Sequence, residues 1–209
     1  MLGVGTPVRS YGGKTAEQRR QDRRRRLIEA TITLLAEHGE AGTTMTAICA
    51  RAGLTERYFY ESFAHREDAL LAALDGVSDQ IAAAAVRVLE ETSGSPDDRV
   101  HAVMASFVDL VRRQPALGLV AVVHSSATPS LRARRHELIR TFADLVAREA
   151  ATLYGDSAWP ADRARLQGLA YIAGVAELVA AWLTGEVQLS AEQLTETARD
   201  MFVALSQQP

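Results

Sequence analysis

From about Ala16 to Leu205 the apolar residues return every three or four positions, and no stretch of useful length alternates with period two. A chain patterned this way has helices and nothing to build a sheet from, so the expected fold class is all-α. The first helix is expected at about Gln18–His38, with Leu27, Ala30, Leu34 and Leu35 on one face and Gly39 as its stop. Short helices near Met45–Ala52 and Glu56–Ser62 follow. Longer ones are expected at about Arg66–Glu91, Asp97–Arg113, Leu131–Tyr154, Ala161–Leu183 and Ala191–Leu205, with a short apolar one over Ala116–Val123. Ser190 with Gln193 three residues on is a capping-box opening for the last of them. Met1–Thr15, which holds five glycines or prolines and no helical period, reads as a disordered tail. The expected layout is a tail at 1–15, a small N-terminal unit at 16–64 and a helical body at 65–209.

The segment Thr43–Phe63 constrains the N-terminal unit most. Two short helices that cross closely need small residues at the contact, and Ala47 and Ala52 supply them. The reversal between them needs a backbone position with positive φ, which Gly53 provides without steric cost. Thr43 or Thr44 caps the first short helix and Thr55 the second. Ile48, Phe59 and Phe63 are spaced to pin both onto the preceding helix. The outward residues suit a helix that reads a DNA groove. Arg57 can give two hydrogen bonds to guanine or fall back to a phosphate. Tyr58 and Tyr60 each join a ring that can meet a thymine methyl or sugar to a hydroxyl that can donate to phosphate. Thr43 or Thr44, with the open N–H groups of the helix it starts, makes an anion site, and Arg66 can do the same from the far side.

Charge is distributed to match. The net formal charge is −3, but residues 1–66 carry +4 and the remainder −7. A basic end on an acidic body is what a protein needs when only that end meets phosphates. The run Arg19–Arg26 is expected to lay some of its arginines along the flanking phosphates or in the minor groove.

Thr44, Ile48, Ala52-Gly53-Leu54-Thr55, Tyr60, Phe63, Arg66-Glu67 and Leu70 together resemble the DNA-binding domain of the tetracycline-repressor (TetR) family. The likeness is close over about Arg25–Leu71. Beyond it, only the helix layout and the Trp182-Leu-Thr-Gly185 ending before the final helix are similar. The resemblance implies that Thr44, Tyr60 and Arg66 hold phosphates, while Arg57, Tyr58 and Ser62 face base edges. It also implies a ligand-responsive repressor that binds a palindromic operator as a dimer. Two departures stand out. The family's usual lysine is Arg66 here, and acids occupy Glu56 and Glu61. Glu56 either accepts from a cytosine amine or complements the helix dipole as a first-turn acid. Glu61 is expected to point away from the groove.

In the body, Leu169–Leu183 is apolar on every face apart from Glu177. Such a helix must be covered all round, and a second copy of the chain would cover the side that the body does not. Ala173, Gly174, Glu177, Ala181, Trp182 and Met201 are the expected dimer contacts. A four-helix interface of this kind is also the family's arrangement. The family's body encloses an effector pocket, for which Met104, Phe107, His124, Tyr171 and Val175 are the candidates here. The effector's identity is not legible.

The other function classes have little support. The five histidines show no metal-ligand spacing, and neither a glycine-rich phosphate loop nor a G-x-S-x-G elbow is present, so no enzymatic activity, metal or cofactor is expected. The remaining alternative is a helical scaffold without specific DNA affinity. The single Cys49 suits a reducing compartment, and the N-terminus has no signal-peptide core. Leu169–Leu183 falls short of a membrane span. The expected setting is therefore the cytoplasm, with double-stranded DNA, a small-molecule effector and a second copy of the chain as partners.

Overall fold

The computed structural model describes residues 15–206, and all of its regular structure is helical. The expected tail at 1–15 falls, apart from Thr15, outside the described residues.

Helix α1 (Ala16–Gly42) starts on a capping box between Thr15 and Gln18. It breaks from helical geometry at Gly39, where φ is 65° and ψ −172°, and one further turn carries it to Gly42. Helix α2 (Met45–Ala52) opens on Thr44, whose hydroxyl accepts the Ala47 N–H at 3.2 Å. It closes at Gly53 with φ 60° and ψ 42°, the left-handed conformation that only a residue without Cβ adopts cheaply. The Gly53 and Leu54 N–H groups then return to the Ala50 and Cys49 carbonyls. Helix α3 (Glu56–Tyr60) is shorter than the sequence suggests, so Ser62 lies past its end. Thr55 holds the cap position of α3 with extended backbone, yet its side chain makes no cap hydrogen bond.

The long helix α4 (Arg66–Glu91) leads into the body. After it come α5 (Pro96–Arg113), α6 (Pro115–Gly118), α7 (Pro129–Tyr154), α8 (Ala161–Leu183) and α9 (Ala191–Ser206). The expected helix over Ala116–Val123 proves composite. Beyond α6 it continues as a π-helical turn over Leu119–Val123. The capping box opening α9 forms as its pattern implies, with Ser190 and Gln193 exchanging bonds of 2.9 and 3.1 Å.

Three buried clusters organise these helices. Leu27, Ala30, Leu34, Ile48, Phe59 and Phe63 fill the space between α1, α2 and α3, and Ala69 brings the start of α4 into the same cluster. Ile32 and Leu35, on another face of α1, join Leu70, Leu74 and Val77 of α4 and Leu117, Val120 and Leu131 in a second. The third, around Val108, Tyr171, Val175, Val179, Leu194 and Phe202, binds α5, α8 and α9. Helix α4 thus belongs both to the packing of the N-terminal helices and to that of the body.

At Gly168 helices α7 and α8 approach closely. A Cβ there would sit 2.5 Å from the Ala143 carbonyl oxygen, so no larger residue fits without separating the helices. Helices α4 and α8 are each long and apolar enough to cross a membrane by length and composition alone. The helix around Leu169–Leu183 runs for 23 residues, Ala161–Leu183, the bounds expected from its periodicity.

Candidate nucleic-acid interface and the body cavity

Three arginines of the basic run on α1, Arg23, Arg24 and Arg26, reach towards α2 and α3, while the run as a whole stays largely exposed. Arg26 donates to the Ala52 carbonyl at the C-terminal end of α2. Arg24 donates to the Ser62 carbonyl at 2.9 Å and stacks over the Phe63 ring. Arg23 stacks over the Tyr58 ring, 4.5 Å from its centroid, and pairs with Glu61 at 3.2 Å. From the α2 side, Arg51 grips Glu37 of α1 at 2.6 Å, which holds the Glu37 carboxyl below its ordinary range. These arginines fasten the two short helices to α1, a role that their sequence alone did not suggest.

Glu61 does not point away from this surface. Its carboxylate lies between Arg23 and Arg57, accepting from Arg57 Nε at 3.3 Å. The sequence signal was present, since residues four apart on a helix are neighbours and opposite charges pair there. Arg57 is nonetheless the most open of these side chains, at 82% exposure, and Tyr60 stands out at 58%. Tyr58 and Ser62 are half-buried, while Thr44 and Thr55 are exposed.

One expected contact is corrected, and another residue is already engaged within the chain. Thr43 is fully buried, and its hydroxyl donates to the Gly39 carbonyl at 2.7 Å, so its side chain serves the end of α1 and does not reach a partner. Arg66 is half-buried and donates to both the backbone and the carboxylate of Glu40, which ties α4 to the last turn of α1.

In the body, Met104, Phe107, Tyr171 and Val175 line one apolar cavity of about 210 Å³. The Tyr171 hydroxyl reaches only the Met104 sulfur, at 2.9 Å, and burial pushes its pKa well up. His124 is not part of the wall. It sits in a 3₁₀ turn before α7 with its ring against Gly39, where a Cβ would lie 3.9 Å from Cε1, and burial lowers its pKa. Two charged residues in the wall escaped the sequence reading, Arg135 and Glu149. They continue the inward stripe of Leu138, Phe142, Leu145 and Val146 along α7, and that spacing was the available signal.

Of the expected dimer contacts, Trp182 is engaged inside the chain, where its ring nitrogen donates to the Leu189 carbonyl at 3.0 Å. Met201 also packs within the chain, since a Cβ at Gly174 would meet its methyl at 2.8 Å. Ala173, Glu177 and Ala181 instead continue an outward stripe on α8 that begins with the exposed Leu166 and Leu169.

Among the described residues, no group of three or more His, Cys, Asp and Glu side chains is placed to hold a metal ion. Residues 27–74 match the bacterial regulatory proteins of the tetR family. No curated protein matches the chain. A transcriptional regulator from Rhodococcus sp. Rha1 superposes with a TM-score of 0.70 at 18% identity, over 87% of this chain and 95% of that one. The fatty acid degradation regulator FadR from Bacillus halodurans gives 0.68 at 15% identity, over 92% and 96%. A TetR family transcription regulator from Marinobacter aquaeolei VT8 gives 0.65 at 22% identity, over 92% and 100%. At these identities the likeness is one of fold, and it spans both the N-terminal helices and the body. The N-terminal helices of this protein thus match the tetR family of bacterial regulatory proteins over residues 27–74, and the chain as a whole shares the fold of solved TetR regulators.

Proposed function

We propose that the chain is a ligand-responsive transcriptional repressor that binds a palindromic operator as a homodimer. The observation that carries the reading is the exposed edge of α3. Arg57 and Tyr60 project from a helix whose opposite side is pinned by the fully buried Phe59. A rigid helix with an exposed guanidinium and an exposed phenol is what direct readout in a major groove uses. In this reading Arg57, Tyr58 and Ser62 meet base edges. Thr44, Thr55 and Tyr60 meet phosphates, and Arg66 acts by holding α4 to Glu40 at the edge of the contact.

The outward stripe on α8 is the surface for a second copy. Leu166 is 68% exposed, and an apolar row of this kind beside Ala173 and Ala181 is stabilised by covering it. Ligand response would run through α4. Its Leu74, Ser78, Ile81 and Leu89 line the cavity, while its first turn packs with the DNA-facing helices. A ligand that binds more tightly to one setting of α4 would change the spacing of the two DNA-reading units by its differential affinity.

The test is a fluorescence-anisotropy titration of the purified chain on DNA tiled from upstream of its own gene, at two salt concentrations, with Arg57→Ala in parallel. Selective, salt-dependent binding whose base preference relaxes about tenfold in Arg57→Ala is expected. Absence of binding even at low salt would overturn the reading in favour of a helical scaffold.

A further inference from the structure

The body cavity is elongated and almost wholly apolar, with one basic and one acidic residue of α7 in its wall. Its wall follows α7 from Arg135 to Glu149, fourteen residues apart and so about 21 Å along the helix. Between them the α7 lining is apolar, with Leu138, Phe142 and Val146 facing residues such as Phe107 of α5. A short, rounded or strongly polar molecule would leave much of such a wall uncovered or its own polar groups unpaired.

The two ends differ in sign. Arg135 is drawn largely out of water, its side chain only 16% exposed, and its partner is Glu177 at 2.9 Å. Glu177 itself is 74% exposed on the outward stripe of α8. A desolvated guanidinium held by a solvated carboxylate is poorly compensated, because water competes for the acid but reaches the base poorly. A second carboxylate arriving from inside the cavity would pair with Arg135 without that competition. The Glu149 carboxylate at the other end disfavours an anion there, which gives the ligand one orientation.

We propose that this cavity binds a long-chain anionic amphiphile, of which a fatty acid is the simplest, with its tail along α7 and its carboxylate on Arg135. The assignment rests on the cavity being the effector site. Binding takes Arg135 away from Glu177 and so frees a charge on the outward face of α8, which connects occupancy to the surface offered to a second copy.

The test is displacement of a fluorescent lipid probe from the purified full-length chain by palmitate, methyl palmitate and hexadecyltrimethylammonium, each below its micelle concentration. It is run on the unaltered protein, on Arg135→Gln, and on Ala85→Phe and Ala121→Phe, which each place a ring in the cavity wall. Palmitate is expected to bind at least about tenfold more tightly than its ester, and Arg135→Gln is expected to remove that preference while leaving the ester's affinity within about twofold. Either wall variant that keeps the helical circular dichroism of the parent should weaken both. Equal affinity for acid and ester, tighter binding of the cation, or a preference that survives in Arg135→Gln overturns the anionic assignment. In those cases loss of binding in the wall variants would keep the cavity as the ligand site. Probe and ligands that bind the wall variants as they bind the parent, or none that bind at all, would overturn the assignment, and the first of these results would remove the cavity as the lipid site too.

Discussion

The N-terminal helices and the body are both built from apolar stripes on helices, yet they close their interiors differently. Around Phe59 the packing is complete: Phe59 is fully buried and meets the Phe63 and Tyr60 rings at 5.5 and 5.7 Å. Around Phe107 it is not, since α4, α5, α7 and α8 leave a void of about 210 Å³ between side chains that are individually well suited to a core. The first region holds a shape and its neighbouring arginines reinforce it. The second gives up packing contacts along a whole helix face, and such gaps are costly unless something fills them. A rigid reading unit joined through α4 to a body with room for an occupant is a workable division of labour for a switch.

The same mutation in the two regions puts this contrast at risk. Phe59→Ala should cost about 3–5 kcal/mol in urea unfolding and strip hydrogen-exchange protection from α1–α3 first. Phe107→Ala, which enlarges a space already open, should cost only about 1–2 kcal/mol. Equal costs would mean that the cavity is closed in solution. A finer comparison concerns the caps of the two short helices. Thr44→Ala removes an existing hydrogen bond and should lower stability by about 1 kcal/mol, whereas Thr55→Ala, with no cap bond to lose, should change it by only a few tenths. If Thr55 proved the costlier on stability, its placement as a side chain available to phosphate would fall.

The smallest expected effect lies at the joint. Burial holds the His124 imidazole below its ordinary value of 6.5, so as pH falls the unfolded chain takes up the proton first. The folded state keeps this contribution above that value and loses it progressively below. His124→Gln should therefore flatten the decline in melting temperature between about pH 7 and pH 5. An unchanged acid limb would place the destabilising protonation elsewhere.

Much of the N-terminal architecture was legible because its determinants are local. A left-handed position needs Gly53, a cap needs Thr44, and both act within four residues of themselves. The turn, the capping and the face that buries Ile48, Phe59 and Phe63 could all be read from spacing. The fate of the arginines could not. Arg23, Arg24 and Arg26 meet partners twenty-six or more positions away, and no local pattern distinguishes an arginine bound for a phosphate from one bound for the Ala52 or Ser62 carbonyl. Thr43 and Thr44 were equivalent as cap candidates, and only the chain direction after Gly39 turned one inward and left the other at the helix start.

The body divides along the same line. Periodicity determined its helices and most of the residues facing inward, including Met104, Phe107, Tyr171 and Val175, because a helix keeps its apolar stripe whatever it packs against. Whether those stripes would meet in a filled core or around a cavity was decided by how α4, α5, α7 and α8 are set against one another, and Gly168 on Ala143 holds one of those pairs at its distance. That same setting placed Arg135 at the wall and His124 outside it. Local periodicity says which face of a helix turns from water, while only the assembled helices determine what that face meets.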